Sequence, residues 1–130
     1  MTPAQRRRLV QAARAVRARA HAPYSKFRVG AAVLDERGRV HAGCNVENAS
    51  YGLTVCAERH AVAAAVAAGA KRIHAVAVVA DPAATPCGAC RQVLTEFGGP
   101  STEVLLAGAK GAVTSGTTLG TLLPRAFSLR

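Results

Sequence analysis

The chain has 130 residues, 50% of them apolar and 18% charged, a balance that suits one globular domain spanning 1-130 and excludes disordered and low-complexity chains. Its longest apolar stretch, Ala61 to Ala70, is about half of what crosses a bilayer, and no apolar signal core follows Arg6-Arg7-Arg8, so no membrane partner and a cytoplasmic location are expected. The net charge of +10 invites nucleic acid, but Arg6, Arg7, Arg8, Arg14, Arg17 and Arg19 lack interleaved aromatics for stacking bases; a solvated helix face is expected instead.

In chain order, Thr2-Pro3-Ala4-Gln5 reads as a capping box that opens a helix running to about Ala20, with Leu9, Ala13, Val16 and Ala20 on one face. Pro23 breaks it. Strands over Phe27 to Leu34 and Arg39 to Asn45 flank the turn Asp35-Glu36-Arg37-Gly38 and predict a hairpin. An alanine-rich helix follows from about Cys56 to Ala68, with Gly69 placed to end it in a left-handed conformation. The unbroken apolar run Ile73 to Ala80 reads as a central strand buried on both faces. Next come a third helix from Cys87 to Phe97, stopped by Gly98-Gly99-Pro100, and a strand from Glu103 to Ala107. A last strand near Ala112 to Thr114 and a short helix from Leu119 to Leu123 close the chain. This order predicts an α/β fold, a three-layer α/β/α arrangement around a mixed, roughly five-stranded sheet.

Four cysteines in a reducing compartment more often bind metal than form disulfides. Cys87 and Cys90 stand three apart at one helix start and Cys56 at another, so three sulfurs can converge on one zinc ion and leave the fourth tetrahedral position open. That is the pattern of a catalytic site. Glu58, two residues after Cys56, can reach a water in the open position without itself binding the metal, which suits a proton carrier. Three thiolates give the zinc centre a net charge of about −1, so compensation is expected from both helix N-termini and from Arg59 and Arg91, placed to donate to the sulfurs. His60 lies close to the same face as Cys56, but the sulfur set is complete and a packing role is expected; Cys44 is expected to be a small buried residue.

The Cys56-Ala57-Glu58-Arg59 and Pro86-Cys87-Gly88-Ala89-Cys90-Arg91-Gln92 segments resemble the ligand-x-Glu and P-C-x-x-C signature of zinc deaminases. With Ala22-Pro23-Tyr24-Ser25-Lys26-Phe27, Cys44-Asn45-Val46-Glu47-Asn48-Ala49 and Leu122-Leu123-Pro124, the chain is similar to the short homotetrameric cytidine deaminases through most of its length. The resemblance implies one zinc per subunit and a pyrimidine nucleoside as substrate, cytidine or deoxycytidine. It places Asn45 and Glu47 on the ribose 3′-hydroxyl, Phe27 on the pyrimidine face, and backbone groups near Ala57 and Cys87 on the base. Tyr51 and Phe127 match residues that reach into a neighbouring subunit's site. Three other readings stay open from sequence: a polynucleotide deaminase, a zinc module whose metal only supports folding, and a deaminase of cytosine-containing nucleoside antibiotics.

Overall fold

The computed structural model describes residues 1–129. Helix α1 (Pro3–Arg17) starts on the expected capping box: the Thr2 hydroxyl accepts from Gln5 N–H at 3.1 Å, and Thr2 N–H donates to Gln5 Oε1 at 2.9 Å. It stops short of Ala20, because Arg19 and Ala20 turn their N–H groups onto Val16 and Arg17 carbonyls in a tightened last turn. Its arginines are less free than the charge pattern suggests. Arg6 pairs with Glu103 at 3.2 Å, Arg8 donates to Gly38 O, Arg14 to Gly108 O and Gly111 O, and Arg17 to Arg28 O. A guanidinium fork satisfies carbonyls left over at turns and loops, so the expected solvated face also staples α1 to its surroundings.

Five strands form one mixed sheet: β1 (Gly30–Asp35), β2 (Val40–Cys44), β3 (Ile73–Val79), β4 (Glu103–Ala107) and β5 (Val113–Thr118), in the spatial order β2-β1-β3-β4-β5. Only β3 and β4 are parallel, and helix α3 (Gly88–Phe97) makes the crossover between them. Alternation along the strands feeds two cores. Ala31, Val33, Val76, Val78, Val104 and Leu106 face helix α2 (Ala57–Ala67), α3 and the short α4 (Leu119–Leu122). Ala32, Leu34, Ala75, Ala77, Val79 and Leu105 face Leu9, Val10 and Ala13 of α1. The expected three-layer α/β/α arrangement is therefore present, with β3 buried on both faces apart from His74.

Small residues set how closely the layers approach. A Cβ on Gly30 would stand 2.0 Å from Ala13 O, and one on Gly43 would stand 2.4 Å from Ala61 N. Gly69 ends α2 with φ +95°, in the left-handed region expected of it. Two boundaries differ from the sequence reading. Phe27 to Val29 is not strand: Lys26 turns the chain at φ +61°, and the Phe27 and Val29 N–H groups bond to Ser25 Oγ and Asn45 Oδ1 instead of to a neighbouring strand. β5 runs to Thr118, longer than expected, because an edge strand needs only β4's backbone and tolerates polar Thr-Ser-Gly-Thr-Thr on its open side. Cys44 is half-buried and not fully enclosed.

Candidate active site

Helix α2 runs into β3 and α3 leaves it, so both helix N-termini lie at the carboxyl end of β3, where open α/β sheets place their sites. Cys56 is the N-cap of α2 and Cys87 the N-cap of α3, with Cys90 in the first turn. Neither capping cysteine bonds back to its own helix, which leaves the sulfurs free to converge. The three Sγ atoms lie within 4.8 Å of one another, with Cys87 and Cys90 at 3.5 Å. Tetrahedral zinc with Zn–S bonds of about 2.3 Å needs sulfurs about 3.8 Å apart, so the set fits one ion.

The electrostatics around the sulfurs agree. The Cys56 thiol is lowered to about 5, first by the hydrogen bond from Cys90 and also by Arg59, whereas Cys90 is pushed up by that same bond and by burial. Arg59 Nη2 stands 3.4 Å from Cys56 Sγ, as its placement predicted, and its Nε is buried with no partner among the described residues. Arg91 departs from expectation. It bonds Pro86 O at 2.7 Å, Leu122 O at 2.8 Å and Thr85 Oγ1 at 3.4 Å, turning away from the sulfurs because those acceptors flank it more closely. His60 Nδ1 is 2.8 Å from Cys44 O, which ties α2 to the hairpin and gives the ring the packing role expected of it.

Glu58 is 5% exposed. Burial raises its carboxyl above the ordinary range, and the nearby Cys56 sulfur adds to the effect. It lies with Cys56 and Cys87 in a cavity of about 270 Å³ that Phe27, Asn45, Glu47 and Ala57 also line. Ser25, Val29, Thr54, Val78, Ala84 and Thr85 complete the walls and were not singled out from sequence. Ser25 lies within the Ala22-to-Phe27 segment; Thr54 and Thr85 each sit two residues before a cysteine, a position that carries no signal alone. A larger outer hollow of about 460 Å³ shares Ser25, Glu47 and Thr54 and is edged by Tyr24 and Tyr51.

Asn45 and Glu47 are already partly engaged. Asn45 accepts from Val29 N–H and donates to Phe27 O, both at 2.8 Å. Glu47 accepts from Tyr24 and Ser25 N–H and from the Ser25 hydroxyl, which holds its carboxyl below the usual range. The pair therefore shapes the 24–29 wall while keeping spare hydrogen-bonding capacity toward the cavity. Tyr51, on a single 3-10 turn, is 91% exposed at the outer rim; Phe127 is 69% exposed and lines neither space within its own chain.

A metal site closed for structure alone would surround its ion with protein ligands, whereas here Cys56 and Cys87 line a cavity with a buried carboxylate beside them. Fold and site together define a zinc enzyme of the α/β/α kind. The model of the family described as the cytidine and deoxycytidylate deaminase zinc-binding region matches residues 3–106, and the chain belongs to that family. It is 48% identical over 123 residues to a cytidine deaminase of Sporosarcina psychrophila, covering 93% of this chain and 90% of the relative. A cytidine deaminase of Mycobacterium tuberculosis is 49% identical over 112 residues, 85% of this chain and 80% of the relative. The crystal structure of cytidine deaminase from Burkholderia pseudomallei superposes with a TM-score of 0.87 at 50% identity, covering 98% of this chain and 100% of that one.

Proposed function

We propose that the chain hydrolyses cytidine and deoxycytidine to uridine and deoxyuridine with release of ammonia, a step of pyrimidine salvage. One observation carries the reading: Glu58 and the convergent sulfurs of Cys56, Cys87 and Cys90 stand at the cavity that Phe27, Asn45 and Glu47 line. Its family and the relatives above support the same substrate class. When bound, zinc supplies the electrophilic centre that makes a hydrolytic water acidic near neutral pH.

The chain's own residues do the rest. Glu58 takes a proton from the attacking water and gives it to N3 of the cytosine ring as the oxygen adds at C4. It then carries the next proton to the amino nitrogen, which leaves as ammonia. A carboxyl kept out of water suits both halves of this exchange, since it neither loses its proton to solvent nor needs reorganisation. Phe27 stacks on the ring, and Asn45 and Glu47 hold the ribose 3′-hydroxyl that both nucleosides carry. Backbone groups at Ala57 and Cys87 read the base edge, so a ligand lacking those polar atoms leaves them unpaired. Arg59 offsets thiolate charge from beside Cys56.

We further propose that the chain acts as a single domain in a homotetramer, with Tyr51 and Phe127 completing a neighbour's site and one zinc per subunit. Four free cysteines suit a reducing, cytoplasmic setting, and among the described residues no helix is long and apolar enough to cross a membrane. The test is ammonia release from cytidine, deoxycytidine, adenosine and an oligonucleotide, with and without chelator. Glu58→Gln should keep its zinc and lose turnover by about 10² to 10⁴-fold. Absence of release from both cytidine substrates by the zinc-loaded wild type sinks the reading.

A further inference from the structure

Arg91 and Gln92 follow the metal ligand Cys90 directly on α3, and both reach across to the end of the chain. Arg91 spreads its guanidinium over Pro86 O at 2.7 Å, Thr85 Oγ1 at 3.4 Å and Leu122 O at 2.8 Å. Gln92 Nε2 donates to Phe127 O at 3.1 Å. Beyond α4, residues 124–127 make no backbone-to-backbone hydrogen bond among the described residues; Gln92 holds that segment at Phe127, and Arg91 holds the end of α4 at Leu122, from which it leaves. The other side of the same fork holds Thr85 and Pro86, the residues leading into Cys87, and Thr85 and Cys87 both line the cavity.

We propose that Arg91 and Gln92 form a clamp that keeps the C-terminal segment in register with the metal-binding loop. They are positioning residues for two properties at once: how firmly the loop retains its ion, and how Phe127 is presented for substrate binding. The second half rests on the reading of Phe127 given above. Planarity is what lets Arg91 do this. A guanidinium presents several donors in a fixed fork and bridges two carbonyls on different segments, whereas a lysine ammonium on a flexible stem holds neither in a defined relation to the other. Gln92 works through one bond and only on the Phe127 side, so the two residues should separate experimentally.

The experiment uses the zinc-loaded full chain as wild type, Arg91→Lys, Gln92→Ala, Phe127→Ala and the Gln92→Ala/Phe127→Ala double variant. KM and kcat for cytidine, melting temperature, and the rate of zinc transfer to a chelating dye are measured for each. Arg91→Lys should release zinc about tenfold faster and raise KM more than it lowers kcat, in the range expected when a residue behind a ligand loop is altered. Gln92→Ala should raise KM about fivefold, the worth of one hydrogen bond, and leave zinc transfer near wild type. The double variant should be no worse in KM than Phe127→Ala, because one residue acts through the other.

An Arg91→Lys variant that melts earlier but keeps wild-type zinc transfer and KM would show a merely stabilising contact and overturn the proposal. Multiplying KM effects in the double variant would overturn the Gln92 half. If Phe127→Ala leaves KM unchanged, the earlier reading of Phe127 fails together with the Gln92 half, and zinc transfer from Arg91→Lys still decides the metal half.

Discussion

Asp35 is a heavily engaged carboxylate, yet nothing in the hairpin turn marks it beyond a common turn residue. It is 1% exposed and accepts from Arg37 N–H, Arg39 N–H, Arg39 Nε and His41 Nε2, at 2.8 to 2.9 Å. Burial alone would raise its carboxyl, but the bonds from His41 and from the Arg39 and Arg37 segments outweigh that and hold it far below the usual range. A depressed native value places the stability gain above the unfolded value of about 3.9, with loss as pH falls toward the native one. Asp35→Asn should therefore cost about 2 kcal/mol in urea unfolding at pH 7, and the gap to wild type should shrink at pH 3. A gap that stays constant with pH would mean that ionisation of Asp35 is not what the turn uses.

Lys26 makes a related point about the cavity wall. Its left-handed backbone puts Phe27 and Ser25 in the cavity, and a side chain in that region costs about 1 kcal/mol that glycine avoids. Lys26→Gly should match or exceed wild-type melting, and Lys26→Val should fall below it; the reverse order would contradict the strain. The sequence alone predicted strand from Phe27 onward, on its β-favouring residues. The turn becomes visible only once Ser25, Asn45 and Glu47 are seen taking up its backbone groups.

Among the elements, α1, α2 and α3 were legible because their starts and stops are local chemistry: a capping box at Thr2, cysteines at N-caps, glycines at Gly69 and Gly98. The metal centre was legible for the same reason, since helix starts fix where Cys56, Cys87 and Cys90 must be. What Arg91 bonds was not legible, because Leu122 is distant in sequence and only the fold brings its carbonyl near. Nor was the contact of α2 with β2, where Gly43 meets Ala61 backbone to backbone. Gly43→Ala must push α2 outward, carrying Cys56 and Glu58 with it. It should cost about 1 to 3 kcal/mol and lower zinc content after dialysis against chelator. Wild-type zinc retention in a destabilised Gly43→Ala would show that the N-terminus of α2 is held independently of its packing on the hairpin.

For the molecule as a whole, the proposed tetramer predicts something a collection of separate sites cannot do. Tyr51, Leu53, Phe127 and Leu129 are among the large apolar groups exposed on a single chain, and the proposed tetramer is what would cover them. If Phe127 completes a neighbour's site, a Phe127→Ala subunit has an intact Glu58 centre but offers no aromatic to others. A Glu58→Gln subunit is the converse, without turnover of its own but able to lend Phe127. Neither homomer should turn over cytidine well, the first losing about tenfold in kcat/KM through the missing aromatic wall of the neighbour's site. Unfolded together and refolded at equal concentrations, they should form mixed tetramers in which some Glu58 centres regain a neighbour's Phe127. Activity should then exceed the mean of the two parents, and native mass spectrometry should show mixed assemblies. Mixed tetramers whose activity equals that mean would place Phe127 with its own chain's site, and the exposed ring would need another explanation.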